Sequence, residues 1–154
     1  GQHSKEVHVA SGAVYGTYDA SFTLPLYEGQ TLSGAGSIIG KMSAQAGSTI
    51  TLSASGSPAF DDLTLAGGAT IKISAAGAAA MSAASLTIGA GDVVNVDVSG
   101  LAGETVFGID LFTFGSGTVT AENFRPSSDT GRYSIRVNNG KVRLSKSGLI
   151  FFVR

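Results

Sequence analysis

Apolar and polar residues alternate over short stretches of this chain, and most of these stretches begin shortly after a glycine. A unit recurs in which a glycine and two further residues precede an apolar residue. Its four copies are Gly29-Gln-Thr-Leu32, Gly47-Ser-Thr-Ile50, Gly68-Ala-Thr-Ile71 and Gly91-Asp-Val-Val94, and they start 18, 21 and 23 residues apart. The later copies continue with period-two alternation, which predicts half-buried β-strands.

A second strand precedes the glycine in each copy after the first. These strands are Met42-Ser-Ala44, Leu63-Thr-Leu65 and Leu86-Thr-Ile88. One unit therefore consists of a strand, a glycine-rich corner, a second strand and a stretch of small residues. Glycine suits the corner because it adopts positive φ without steric cost. A unit of about 20 residues cannot bury its own apolar face, but stacked units cover one another.

The repeat predicts the fold class. We expect an all-β protein, namely a single-chain parallel β-solenoid (β-helix) with capping strands and a C-terminal β-hairpin. A β-sandwich, which also uses short alternating strands and glycine turns, is the alternative. We expect a single domain over residues 1–154, with an N-terminal cap (1–28), repeat coils (29–100), and an aromatic-rich coil with the hairpin (101–154).

Three local assignments complete this expectation. The alanine-rich residues 75–84 are assigned to a third side of the solenoid, because Gly77 and the short length argue against a helix. Asp61 and Asp62 are assigned to a loop before the strand at Leu63. Gly115-Ser-Gly117 is assigned to a turn between two strands.

The clearest local pattern is a hairpin near the C-terminus. Tyr133-Ser-Ile135-Arg-Val137 and Lys141-Val-Arg143-Leu144 both alternate, and Asn138-Asn139-Gly140 between them is a strong turn signal. The polar face of the hairpin carries the candidate binding residues Arg132, Arg136, Lys141 and Arg143.

The charge of the chain is distributed unevenly, although the net charge is only −1. Residues 1–124 contain three lysines and ten acidic residues, whereas residues 125–154 contain seven basic residues and one acidic residue. This asymmetry indicates either an anionic partner or a solvated face on the terminal hairpin. Basic residues on an exposed strand also hinder edge-to-edge aggregation.

Composition excludes several classes of chemistry. The chain has no Cys, so it has neither disulfides nor thiolate nucleophiles. It also has no Trp. Its longest apolar run, Leu149-Ile-Phe-Phe-Val153, is much shorter than the roughly 18 residues of a membrane-spanning helix. We therefore expect no transmembrane segment, and we expect that this run could mediate self-association.

Side chains that could carry chemistry form no recognisable catalytic or metal-ligating pattern. The histidines are His3 and His8, and the acids considered for a polysaccharide-cleaving groove are Asp61, Asp62, Asp92, Asp97 and Asp110. Their spacing gives no reason to place two carboxylates opposite each other, as glycoside hydrolysis requires. A pI near 6.1 argues against nucleic-acid binding. We expect no enzymatic activity, catalytic residue, metal site, cofactor or nucleic-acid partner.

The unit Leu63-Thr-Leu65-Ala-Gly-Gly68-Ala-Thr-Ile71 resembles the β-strand repeat in the passenger regions of bacterial autotransporters. The segment from Gly108 to Leu144 is similar to the one that often closes such arrays, so the resemblance covers residues 29–145 approximately. It implies a right-handed parallel β-helix that is exported and displayed at the cell surface. It also implies a role in adhesion, scaffolding or carrying another domain, and it carries over no catalytic residues.

These observations predict a non-catalytic module, adhesin-like or scaffolding, that is secreted or displayed on the bacterial cell surface. Its expected partner is a host or cell-surface glycan or protein. Two alternatives stay open: a polysaccharide-binding or polysaccharide-cleaving β-helix protein, and a structural assembly subunit.

Overall fold

The computed structural model describes residues 5–102, 108–127 and 133–146. Most of these residues lie in fourteen strands, which form two sheets. In spatial order, the six-stranded sheet contains β1 (Glu6–His8), β4 (Thr31–Ser33), β6 (Thr49–Leu52), β8 (Thr70–Ile73), β10 (Val94–Asp97) and β12 (Phe124–Ser127). The eight-stranded sheet contains β13 (Tyr133–Asn138), β14 (Lys141–Lys146), β11 (Gly108–Thr118), β9 (Met81–Ile88), β7 (Ala59–Leu65), β5 (Ser37–Ala44) and β2 (Val14–Gly16), with β3 (Thr23–Leu26) also paired to β5. Short 3₁₀ turns cover Ser99–Leu101 and Ala121–Asn123.

Strands β4 to β12 alternate between the two sheets along the chain, and each pairs in parallel with a strand two positions away in sequence. The last two strands depart from this pattern. Strand β14 pairs antiparallel with both β11 and β13, so the eight-stranded sheet is mixed.

The prediction of a single-chain parallel β-solenoid is wrong, because the structure has two sheets and combines parallel with antiparallel pairing. The arrangement fits the β-sandwich that the sequence left as the alternative. The physical reason lies at the C-terminal end of the chain: β14 runs antiparallel to β13, across the tight Asn139-Gly140 turn, and also pairs antiparallel with β11, so the last strands do not continue the parallel pairing of the repeats. The all-β class and the hairpin itself are confirmed.

The core lies between the sheets and is built from alternate strand residues. Ile50 and Ile71 lie side by side in the six-stranded sheet, and Leu63 and Leu86 lie side by side in the eight-stranded sheet. All four side chains are buried in one hydrophobic cluster. Burying each such side chain contributes about 1.5–3 kcal/mol, so the alternating pattern fixes which face of each strand points inward.

The fourth repeat copy lies in a different register from that expected. Its strand aligns Val96, not Val94, with Ile71 of the preceding copy. Gly91, which has a φ of 82°, still forms the turn, but two more residues separate it from the aligned Val96 than separate Gly68 from Ile71. The sequence repeat therefore locates this strand but places its pairing two residues too early.

Two segments that the sequence assigned to a third solenoid side and to a turn belong to strands of the eight-stranded sheet. The end of the alanine-rich stretch belongs to β9, where Ala83 lies between Phe60 and Phe114 on the neighbouring strands, so the predicted third side is wrong. The small alanine fits between two rings that a larger side chain would displace. Gly115-Ser-Gly117 is not a turn but part of β11, and a Cβ at Gly117 would collide with the carbonyl oxygen of Leu86.

Asp61 and Asp62 likewise lie within β7 and not in a loop. The Asp61 carboxylate accepts a hydrogen bond from the backbone N–H of Gly40 at 2.9 Å, across an irregularity in β5. Arg132, His3 and the apolar run Leu149–Val153 lie outside the described residues.

Candidate functional site

The polar face of the C-terminal hairpin continues onto β11 and forms a three-stranded outer surface. Along β14 the side chains alternate: Val142 and Leu144 are fully buried, whereas Lys141 and Arg143 are exposed. This is the half-buried pattern of a strand with one face on the core, and it directs Lys141 and Arg143, like Arg136 and Asn138 on β13, away from the sandwich.

Strand register brings the cationic residues together. Arg143 pairs with Arg136 on β13 and with Asp110 on β11. Lys141 pairs with Asn138 on β13 in the adjacent row. Neighbouring strands lie about 4.8 Å apart, and residues two apart on one strand lie about 6.7 Å apart. The three cations therefore share a small area of one sheet face.

These side chains line a concave surface that we call the basic cleft. Its volume is about 390 Å³, which falls in the range of roughly 300–1,000 Å³ found for small-molecule sites. The lining residues are Asp110, Arg136, Asn138, Asn139, Lys141 and Arg143. Among the residues that the structure describes, the cleft thus offers three cations, one carboxylate and two carboxamides, and no aromatic ring lines it.

Arg143 is held in a defined position within the cleft. Its Nη1 donates a hydrogen bond to Oδ1 of Asp110 at 2.7 Å, which is also an ion pair. The two side chains are 49% and 30% exposed, so solvent screens the pair and its contribution to stability is small. Its structural effect is to orient the guanidinium, which has five N–H donors and uses one of them here.

Gly108 makes room for this guanidinium. A Cβ at position 108 would lie 2.5 Å from Nη2, 2.8 Å from Cζ and 2.8 Å from Nε of Arg143. The side chain therefore crosses directly over the glycine backbone on its way to Asp110. Any other residue at position 108 would displace it.

The positive charges of the cleft are only partly compensated. Arg136 lies directly opposite Arg143, and like charges in that position destabilise a sheet. Among the residues that the structure describes, neither Arg136 nor Lys141 has an ion-pair partner. The cleft therefore carries excess positive charge, which a bound anion would neutralise.

The sequence indicated this face but not its full composition. Of the four candidate residues, Arg136, Lys141 and Arg143 line the cleft, while Arg132 lies outside the described residues. Asp110 was considered only as a catalytic acid. Its pairing with Arg143 spans 33 residues, and no local pattern could reveal it. The carboxamides of Asn138 and Asn139 were interpreted only as turn formers.

A second concave surface, of about 490 Å³, lies where the chain passes from β9 to β10 and from β11 to β12. Asn123 is one of the residues that line this surface. Its carboxamide donates to the carbonyl oxygens of Gly89 and Asp92, at 3.2 and 2.8 Å, and accepts from the backbone N–H of Thr120 at 2.9 Å. These bonds close a corner of the sandwich, so we assign Asn123 a structural role.

The other titratable groups considered from the sequence stay apart from the basic cleft. His8 is in β1, with Nδ1 at 3.0 Å from the Ser33 hydroxyl. At the end of β10, hydrogen bonds from the backbone N–H and then the hydroxyl of Ser99 lower the pKa of Asp97. Across residues 5–102, 108–127 and 133–146, no three His, Asp or Glu side chains gather as a metal site. No helix within those ranges is long and apolar enough to cross a membrane.

No protein-family model, curated protein or solved structure matches this chain. The candidate site therefore stands on its own geometry.

Proposed function

We propose that this chain is a non-catalytic, adhesin-like binding module of an exported bacterial cell-surface protein, and that the basic cleft is its contact surface. One observation carries the proposal: Arg136, Lys141 and Arg143 converge on a single cleft that contains one carboxylate. The surface-displayed setting is proposed from the sequence alone, because the repeat unit resembles autotransporter passenger repeats; the parallel β-helix that this resemblance implies is not the fold of the chain.

The chemistry of the cleft favours binding over catalysis. Hydrolysis of a glycosidic bond uses two carboxyl groups that face each other across the scissile bond. In the part of the chain that the structure describes, the cleft is lined by one carboxylate, Asp110, which already accepts a hydrogen bond from Arg143. Arginine, lysine and carboxamide groups are instead the side chains that recognise anions and hydroxyl groups.

The electrostatics of the whole chain supports the same surface. Residues 1–124 are strongly acidic, whereas the hairpin is basic. An anionic partner is therefore repelled by most of the molecule and attracted to one end of it, which orients the encounter and raises the association rate.

The test is a binding array of glycans and extracellular-matrix proteins, probed at low and at physiological salt. We expect selective binding that survives about 0.15 M ionic strength and disappears in the variant Arg136→Gln/Lys141→Gln/Arg143→Gln. The matched control is Lys41→Gln/Lys72→Gln/Arg125→Gln, which removes the same charge from exposed positions outside the cleft. Equal loss in both variants would show a nonspecific charge effect and refute the proposal.

A further inference from the structure

Resting on the proposed function, we infer that the ligand of the basic cleft is a carboxylate-bearing sugar unit of an acidic glycan, and that Asp110 and Gly108 position Arg143 to bind its carboxylate. Three features of the site support this assignment: the orientation of Arg143, the polar groups around it and the limited extent of the positive surface.

Arg143 is oriented before any ligand arrives. Asp110 takes one N–H at 2.7 Å, and the guanidinium lies flat over Gly108. No other hydrogen bond of this guanidinium is made to the described residues, and a guanidinium binds a carboxylate through two parallel hydrogen bonds. Fixing the fork in advance lowers the entropic cost of binding, which is the benefit of preorganisation.

The remaining groups fit a sugar. Arg136, one strand away, can share the carboxylate charge with Arg143 and relieve their mutual repulsion. The carboxamides of Asn138 and Asn139 each offer a carbonyl acceptor and an NH₂ donor, which match the donor and acceptor character of hydroxyl groups. A neutral sugar would leave the cations uncompensated, and none of the described lining residues provides an aromatic platform on which a neutral ring would stack.

The extent of the positive surface selects a short ligand segment over an extended nucleic acid. Within the described residues, the basic cleft lies on β11, β13 and β14, whereas Asp61 and Asp62 lie on β7, two strands from β11 in the same sheet, and Asp97 lies on β10 of the other sheet. Nucleic-acid binding relies on a long series of phosphate contacts and, for single strands, on stacking aromatic rings. One acidic sugar unit with its neighbours needs neither.

The first experiment is titration calorimetry of the wild-type chain at about 0.15 M ionic strength, with short oligogalacturonate as the probe. The comparison ligands are the same oligosaccharide with its carboxylates methyl-esterified, a neutral dextran oligosaccharide, polyglutamate and single-stranded DNA. We expect binding to oligogalacturonate and at least about tenfold weaker binding to the esterified form, because charge-assisted hydrogen bonds are lost. Equal binding of the esterified form, or tighter binding of polyglutamate or DNA, overturns the assignment.

Two variants separate positioning from simple attraction. Arg143→Lys keeps the positive charge but removes the planar guanidinium, so we expect about tenfold weaker binding. Asp110→Asn removes a negative charge, so attraction alone would tighten binding, whereas loss of positioning weakens it. We expect weaker binding, with Arg125→Gln unchanged as the control and with unfolding midpoints confirming that every variant folds. Tighter binding by Asp110→Asn, or wild-type binding by Arg143→Lys, refutes the positioning role.

The outcomes also distinguish this inference from the proposal on which it rests. If oligogalacturonate does not bind but a surface component without a carboxylate-bearing sugar does, and the triple cleft variant abolishes that binding, the ligand class is wrong and the binding module stands. If no array component binds in a manner that depends on the cleft, both proposals fail.

Discussion

Replacing Gly108 with alanine tests whether the position of Arg143, and not merely its charge, matters to the cleft. The substitution adds one methyl group and changes no charge. That methyl would lie 2.5 Å from Nη2 of Arg143. Since non-bonded heavy atoms rest at about 3.5 Å, the guanidinium must move by roughly 1 Å. The obstructing atoms are the end of a flexible side chain, so Arg143 moves and the backbone stays.

A displacement of that size disrupts the contact with Asp110. The hydrogen bond is 2.7 Å long, and an added displacement of roughly 1 Å takes it beyond the 2.7–3.2 Å range of such bonds. The cost in folding stability is small, because the exposed ion pair contributes about 0–1 kcal/mol. Alanine offsets part of that cost by reducing the freedom of the unfolded chain, an effect of about 0.4–1 kcal/mol. We therefore expect the free energy of unfolding to change by less than about 1 kcal/mol.

Binding is expected to respond much more strongly than stability. Denaturant unfolding gives the first quantity, and calorimetric titration with oligogalacturonate gives the second. We expect Gly108→Ala to weaken binding as Asp110→Asn does, and the double variant to be no weaker than either single variant, because both changes remove the same positioning. Wild-type affinity in Gly108→Ala, or additive losses in the double variant, would refute the reasoning.

Four further predictions concern the scaffold. Leu63→Ala, at a fully buried position of β7, should destabilise the protein by about 2–5 kcal/mol in denaturant unfolding, whereas the adjacent exposed Thr64→Ala should change stability little; similar losses would contradict the burial pattern. Asn123→Ala breaks hydrogen bonds to Gly89, Asp92 and Thr120 and should cost about 1–3 kcal/mol, so an unchanged midpoint would remove its structural role. Hydrogen bonds from Ser99 lower the pKa of Asp97 from its usual 3.8, so the ionised carboxylate stabilises the fold above pH 3.8, and this stabilisation is lost as the pH falls through the lower folded-state pKa. Asp97→Asn should therefore flatten the acid limb of a plot of unfolding free energy against pH. An unaltered acid limb would contradict the assignment of this stabilisation to Asp97. In β3, the carbonyl oxygen of Leu26 accepts a hydrogen bond from the backbone N–H of Gln45 on the β5 side, so Pro25 faces the other edge, where it offers no N–H. Pro25→Val should increase concentration-dependent association in sedimentation, and unchanged sedimentation would contradict a protective role of Pro25.

The local elements of this fold could be predicted because their pattern is local. Alternation at Ile50 and Ile71 identifies strands with one buried face, and the Asn139-Gly140 pair identifies the hairpin turn. Asn139 has a φ of 51° and Gly140 a φ of 72°, which are conformations that these two residue types favour.

The sheet arrangement could not be predicted because it depends on contacts between distant residues. The strand identity of Ala83 follows from the two phenylalanines beside it, and the strand through Gly117 follows from its close approach to Leu86. Helix propensity and turn propensity point the other way at both places, and tertiary packing overrides them.

The candidate site could be predicted from the sequence only in part. The basic residues of the hairpin were visible in the sequence because alternation places them on one face. Asp110 and Gly108 were not, since only the antiparallel pairing of β11 with β14 brings them to Arg143.

The most direct test of the account is to map binding onto the molecule. Two-dimensional NMR, recorded with selective observation of arginine Nε–H and asparagine side-chain amides, would follow a titration with oligogalacturonate. We expect the largest chemical shift changes at Arg143, Arg136, Asn138 and Asn139, and no change at Asn123 and Arg125. Shifts centred on Asn123 and the second concave surface, or spread evenly over all arginines, would contradict the claim that the basic cleft is the binding surface.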